Sequence, residues 1–538
     1  MRRGLKRVPV SKGARAKASK LSLPAPVRGW VTAENLALAG PAAALVLENG
    51  FPLSNAVRVR GGTAKYATVS ATGAATSLWR YSNAFGEQMF AATNDSVFDI
   101  SSIADADAIP TAAVTGQTSG YYSVAQIGTA GGDYQFCCNG TDDPLLYDGS
   151  TFTAINGAST PAITFSSGSA TTASLSAVWT YANRAWFVEG GSMNAWYLPI
   201  DSIGGVANSV SLAGVFSQGG ELLFGTRWSL DSGAGLDDKC IFVSTRGEVA
   251  VYEGSDPSSA DSWGLVGVYQ LSPPLGKNAY VQIGGEVMIL TGDGMVPISQ
   301  ATQRDAAQLS LAAISKPIEP DWKAAAVARI SKAWEAVKWP AGNMLVVTQP
   351  IAAAGQTAEC LVCNIETGAW GKYTAHDTEC ITEYRGRVYF GTSGGLVKQM
   401  ETGGSDDGEP YTFVYVGHFD HLGNPGQIKT ATMARAIFRA SHPFNYTVSA
   451  SVNYTVSLPA APSSVADFTT DTWDVGEWDV AQWSVEEADA VTTTEWRSIG
   501  QTGFAHAPQI QITCGVAPLP SIKLAAIDLM YISGEVVG

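Results

Sequence analysis

The sequence predicts an all-β chain centred on a closed ring of small antiparallel sheets, a β-propeller of six or seven blades. A small helical insertion interrupts the ring and a β-sandwich-like domain follows it. Three observations predict this. Seven strand-turn-strand stretches begin at Phe90, Phe136, Trp186, Phe242, Met288, Leu345 and Val388, between 43 and 57 residues apart. Each sets apolar or aromatic residues on both sides of a Gly, Asn or Asp turn, the mark of a β-hairpin. A repeated hairpin cannot bury its apolar face alone, so neighbours pack on one another, and a ring leaves few open edges. The composition agrees, with 46% hydrophobic residues, only 15% charged and 57 glycines in 538 residues, enough for large cores and many turns.

Residues 1–26 form a basic N-terminal arm. Arg2, Arg3, Lys6, Arg7, Lys12, Arg15, Lys17 and Lys20 precede the first acidic residue, Glu34, so the first 20 residues carry +8. The remainder holds 25 basic against 48 acidic side chains, a formal −23. With Gly, Ser, Ala and Pro between its charges, the arm cannot fold on its own apolar content. It is either a solvated tail or a partner-binding segment that orders on nucleic acid or an acidic protein surface. The acidic body is a poor surface for gripping DNA, because phosphate binding depends on Lys and Arg, but it suits a wall past which DNA slides. The arm lacks the apolar core of a secretory signal. No apolar run approaches the ~20 residues of a membrane-spanning segment, so the expectation is a soluble protein made in a cytoplasm.

Residues 27–65 lead into the propeller, which occupies 66–403. Between the fifth and sixth hairpins, residues 301–339 are rich in Ala, Lys and Leu and read as the helical insertion, with Pro320-Asp321 opening its second part. Trp322, Ala326, Ile330, Ala333, Trp334 and Val337 recur at threes and fours and define one apolar face. That face either packs on the propeller or makes a subunit interface through Trp322, Ile330 and Trp334. GGSDDGEP from Gly403 reads as an acidic linker into the C-terminal β domain, 404–538, where YTFVYVGHF and NYTVSASVNYTVSL alternate as strands do. Inside that domain Trp473, Trp478 and Trp483 recur every five residues. Five suits neither a helix face nor a strand face, so this segment is expected to run irregularly and seat each indole in a surface pocket.

A search for catalytic chemistry returns no motif. The five histidines, His376, His418, His421, His442 and His506, form no zinc-protease signature and flank no nucleophile elbow. SLDSGAGL from Ser229 begins like the Asp box of propeller sialidases but lacks its terminal aromatic. The acidic pairs Asp142-Asp143, Asp237-Asp238 and Asp406-Asp407 have no EF-hand spacing and read as solvated turns. Seven scattered cysteines give no disulfide framework. Cys360 and Cys363 lack a second ligand pair for zinc, and on a strand residues three apart face opposite ways. No metal, cofactor or enzyme activity is expected.

VRGWVTAENLALAGPAAALVLENGFPLSNAVRVRGG, residues 27–62, resembles the opening of tail nozzle proteins of short-tailed bacteriophages, the tail tubular protein B and packaged-DNA stabilisation protein group. The likeness rests on Ala44, Leu45, Leu47, Asn49, Phe51, Pro52 and Arg60-Gly61-Gly62. GDGMVPIS before an Ala-rich helical insertion, and the WDV repeat near a C-terminal β domain, agree with it. The resemblance implies a non-catalytic structural subunit of the virion tail, assembled in the host cytoplasm. Six copies would form a homo-oligomeric ring beneath the portal and its adaptor protein, close the tail channel, retain genomic DNA and pass it outward, with fibres or spikes on the outer surface. Two other readings stay open: a carbohydrate-binding or carbohydrate-active propeller, which needs paired carboxylates in a cleft, and a cellular scaffold propeller that binds peptides.

Overall fold

The structure is a computed structural model that describes residues 18–34, 40–229, 238–303, 308–423, 425–440, 444–464, 490–493, 495–515 and 520–536. Seven sheets follow one another from residue 77 to residue 400 and make the propeller, antiparallel but for Ile163–Phe165, which pairs in parallel with Gly205–Ser211 at the rim of the third. Their first strands, each the innermost of its blade, are Ser77–Asn83, Ser123–Thr129, Leu175–Tyr181, Leu222–Trp228, Tyr280–Ile283, Ala336–Trp339 and Cys380–Tyr384. Each pairs with the next strand in the chain. Every hairpin read from the sequence is the join between the second and third strands of one blade. The blade number is seven.

Large aromatics fill the gaps between blades. Trp186 of blade three stacks on Trp263 of blade four with ring centroids 5.5 Å apart, and Trp179 lies against Gly225 on the innermost strand of blade four. A methyl group added at Gly225 would stand 2.3 Å from that indole, so glycine is what lets these two sheets close.

The ring is shut by the strand Thr63–Thr68, which pairs with Leu396–Met400 as the outer strand of blade seven. Blade five has three strands, Tyr280–Ile283, Glu286–Thr291 and Gly294–Pro297. The helices Ile298–Ala301, Leu309–Ala312 and Glu319–Ala328 follow it. The insertion is shorter than the sequence pattern indicated. Its last helix starts at Glu319 beside Pro320 and stops at Ala328, and Ala336–Trp339 is already the innermost strand of blade six. Val337 therefore belongs to a sheet and not to a helical face.

Residues 27–65 do more than lead into the propeller. Ala44–Glu48 pairs with Tyr411–Gly417 and touches the outer strand of blade six at Glu48 and Lys372, so blade six runs on into one sheet of the terminal sandwich. The second sheet is built on Gln427–Ala440 and Lys523–Val536. Ser19–Pro24 and Val57–Val59 both pair with Lys523–Val536. The sandwich is thus made from both ends of the chain, and its core runs without a break from Phe413, Phe438 and Ile527 to Trp30, Trp322 and Trp370 beside the propeller. Among the described residues, no helix is long and apolar enough to cross a membrane. Trp473, Trp478 and Trp483 lie outside the described residues.

Candidate functional site

Four of the residues that carry the nozzle resemblance, Asn49, Arg60, Gly61 and Gly62, meet at the joint between the two lobes. Arg60 is fully buried. Its Nε donates to Asn49 Oδ1 at 2.7 Å, and its two terminal nitrogens grip Asp406 Oδ1 and Oδ2 at 2.8 and 2.6 Å. The guanidinium lies over the Tyr411 ring, 3.8 Å from its centroid. Next to it Arg58 donates to both oxygens of Glu401, at 2.7 and 3.1 Å, and Tyr373 and the backbone N–H of Gly61 complete that carboxylate's partners. Burial works against both charges of this second pair, yet the Arg58 charge holds the Glu401 carboxyl below its ordinary range. These are paired, hydrogen-bonded ions of the kind that fix one arrangement of neighbouring elements.

This joint corrects two expectations. Asp406 is not a solvated turn residue but the counter-ion of Arg60, so GGSDDGEP is a tether pinned to the joint and not a free linker. Gly62 passes so close to it that an added Cβ would sit 1.9 Å from the Ser405 carbonyl oxygen.

A second constellation blocks the propeller axis at the end where the innermost strands begin. Lys277, in the connection between blades four and five, has only 8% of its surface exposed. Its Nζ donates to the carbonyl oxygens of Tyr121 and Ser176, both at 2.8 Å, and of Cys138 at 3.4 Å. Three ammonium protons thus meet three carbonyls from blades two and three. Asn278 reaches Tyr122 O at 2.8 Å and Glu335 Oε1 at 3.1 Å, while Glu335 Oε2 accepts from the N–H of Ile381 in blade seven at 3.3 Å. Burial lowers the Lys277 ammonium to about 8 and raises the Glu335 carboxyl to about 7. The cluster ties five blades together across the axis. Sequence reading missed it because Lys277, Asn278 and Glu335 stand alone in connections, with no local pattern to mark them.

Beyond this plug the axis opens into a cavity of about 520 Å³, lined by the innermost strands of blades two to five, including Gln126, Thr180, Arg227, Tyr280 and Gln282. A smaller pocket of about 270 Å³ lies between the last helix and blade six, lined by Trp30, Asp321, Arg329, Gln349, Glu359 and Lys372 among others. Its Glu359 is paired with Arg329 at 3.2 Å.

The sequence-predicted site residues fare differently. Arg2, Arg3, Lys6, Arg7, Lys12, Arg15 and Lys17 lie outside the described residues. Lys20 is not a free arm residue: it sits on the strand Ser19–Pro24 with its Nζ 3.2 Å from Asp528. Trp322 and Trp334 are fully buried within this chain, their rings 5.3 Å apart, and Trp322 Nε1 donates to Thr291 O. They are core residues, so they cannot serve as subunit contacts. Ile330 does stand at the surface, 77% exposed, with Val327 at 74%.

All seven cysteines are buried and free. Cys360 and Cys363 face different cores, as a strand dictates, and burial pushes the Cys363 thiol up to about 12. His376 is buried against Phe390 and close to Arg60. Among the described residues, no three His, Cys, Asp or Glu side chains converge as a metal site.

No family model matches this chain, and no curated protein matches it. Solved structures with which it can be superposed include the β-propeller domain of Myceliophteria_thermophila Cps50 (Swd1), at 10% identity and a TM-score of 0.39 over 63% of this chain and 99% of that one. The computationally designed Ika8 protein gives 13% identity and 0.35 over 66% and 96%. PorZ of Porphyromonas gingivalis gives 11% identity and 0.35 over 68% and 44%. The propeller assignment rests on the sheet order of this chain itself.

Proposed function

We propose that this chain is the structural subunit of a phage tail nozzle, six copies of which ring the tail channel, retain packaged DNA and conduct it outward during ejection. The observation that carries the reading is the joint: the segment with the nozzle resemblance supplies Asn49, Arg58, Arg60 and Gly62, which lock propeller and sandwich into one body. A ring under internal pressure needs stiff subunits, and buried ion pairs at a lobe boundary supply stiffness. The plugged axis supports the same reading from another side. With Lys277 and Glu335 across it, the propeller's own axis is no conduit, so DNA would pass between copies. A cyclic ring of this kind needs a heterologous interface, to which exposed Ile330 and Val327 are suited. The portal adaptor and any fibres would bind elsewhere on the ring, and the basic arm would reach the adaptor or the DNA.

Native mass spectrometry of the purified chain over a concentration series tests this. Sixfold rings are the expected result, and a strict monomer at every concentration, with or without a portal adaptor, overturns it. One observation favours carbohydrate binding as a second reading: the pocket beside Trp30 combines an indole with Asp321 and Glu359. Release or retention of sugars from a panel of bacterial polysaccharides separates the two, since a nozzle subunit does neither.

A further inference from the structure

The outward face of the last helix is at odds with its exposure. After Lys323 the helix Glu319–Ala328 continues with four alanines and a valine and no charged side chain. Its inner side buries Trp322 and Ala326. Its outer side, Ala324, Val327 and Ala328, recurs at threes and fours and is exposed, with Val327 at 74% and Ile330, just past the helix end, at 77%. A surface helix carries polar residues on its solvent side, and one that is apolar on both sides belongs in an interior. Ala324, Ala325 and Ala328 also form the helical wall of the pocket of about 270 Å³, which Trp30 and Leu361 line as well. The charges of that lining are paired, Arg329 with Glu359 at 3.2 Å and Lys372 with Glu48 at 3.0 Å, with one exception. Asp321 is exposed, accepts from the Thr32 hydroxyl and has no ion-pair partner among the described residues.

A complementary feature stands elsewhere on the same chain. Phe85 is the most exposed large apolar residue among those described, at 98%. It occupies the tip of the turn between Ser77–Asn83 and Gly86–Ala92 in blade one. Asn83 Oδ1 fixes that turn by accepting from the N–H groups of Phe85 and Gly86 at 2.9 and 3.1 Å. The neighbouring turn of blade seven is tied to it, since the Arg385 N–H donates to Glu87 Oε2 at 3.0 Å. That second turn presents Arg387, exposed and without an ion-pair partner among the described residues. One corner of the molecule thus holds a fixed aromatic knob beside an unpaired cation, and another holds an apolar-walled pocket beside an unpaired carboxylate. An aromatic side chain seated in a water-excluded pocket is the pattern of an interface hot spot. A contact between two different patches of one chain is the heterologous kind that generates rings, and a charge-free helix face is where bodies of formal charge −23 can approach one another.

We propose that the pocket beside the last helix receives Phe85 from a second copy of this chain, with Val327 and Ile330 packing around the incoming turn and Asp321 pairing with Arg387. The proposal deepens the ring reading and rests on it for the identity of the partner. The blade-one turn is one half of each contact and the helix the other, so every copy in a closed ring uses both once.

Native mass spectrometry of full-chain variants over a concentration series tests it. Phe85→Ser and, separately, Val327→Ser are expected to raise the concentration at which oligomers appear by roughly tenfold or more. Asp321→Arg and Arg387→Asp each do the same, and the two combined restore assembly to within a few-fold of the parent, since the reversed pair attracts again. Ile200→Ser, which alters an exposed apolar residue on blade three, is expected to assemble as the parent does. Near-UV circular dichroism confirms that each variant is folded; should Asp321→Arg misfold, the exposed Phe85→Ser decides alone. Variants that assemble at the parent's concentrations overturn this contact and leave the ring reading standing, and so do variants that assemble normally but lose a portal adaptor, which would make that protein the occupant. A parent that stays monomeric at every concentration, with or without the adaptor, overturns both. Oligomers of another size that respond to the charge swap uphold the contact and overturn the count of six.

Discussion

Glu335 is a carboxylic acid held between an amide, a backbone N–H and the core, and its proton should govern part of the molecule's pH response. Its carboxyl moves from an ordinary 4.5 to about 7 on burial. Across that window the folded state keeps a proton that the unfolded state has lost, so this group's contribution makes stability fall as pH rises. His376 acts in the opposite direction. Burial, helped by the nearby Arg60 charge, brings it from 6.5 to about 4, and between those values the unfolded state takes the proton first, so stability rises with pH. Because the two oppose, the informative quantity is the difference between Glu335→Gln and the parent. Measured by urea unfolding, it is expected to be small near pH 4.5 and to grow in the variant's favour up to pH 7, by on the order of 2–3 kcal/mol. A difference that stays flat with pH would remove Glu335 as the titrating group.

At the scale of elements, the close approach of Gly62 to Ser405 and the open setting of Gly264 give a matched pair. Gly62→Ala drives a methyl group into backbone that the Arg60–Asp406 pair holds in place, and is expected to destabilise by roughly 2–3 kcal/mol. Gly264→Ala, on the outer strand of blade four with nothing within 4 Å of the new atom, is expected to change stability little. Equal effects in urea unfolding would mean that the joint is not rigid. These elements also mark how far the sequence could be read. The middle hairpin of every blade was legible, because its apolar flanks and tight turn are contiguous in the chain. The innermost strands were not: SVAQIGT and AVKW are only half-buried over most of their length and lack a clean apolar alternation. The insertion was read too long because Trp334 and Val337 happen to continue the helical spacing past Ala328. Arg60 stood out beside its two glycines, but its counter-ion, hundreds of residues away, looked like any acidic turn.

At the scale of the whole molecule, the terminal sandwich is not built from residues 404–538 alone. Its sheets need Ala44–Glu48, Val57–Val59 and Ser19–Pro24 from the other end of the chain. A fragment of 404–538 is expected to show little ordered sheet by circular dichroism and to gain it when residues 18–62 are supplied as a separate peptide; a fragment that folds alone would show that the shared strands are ornaments. The same clasp closes the propeller, since Thr63–Thr68 completes blade seven. Biosynthesis feels this directly. Residues 19–68 are made hundreds of residues before their partners on both lobes, so at 5–20 residues per second they wait on the order of 20–100 s without their native neighbours. Neither lobe can be finished until those later strands have been made, and a polypeptide truncated before them would be left with open sheet edges, ready for proteolysis before it could enter any assembly.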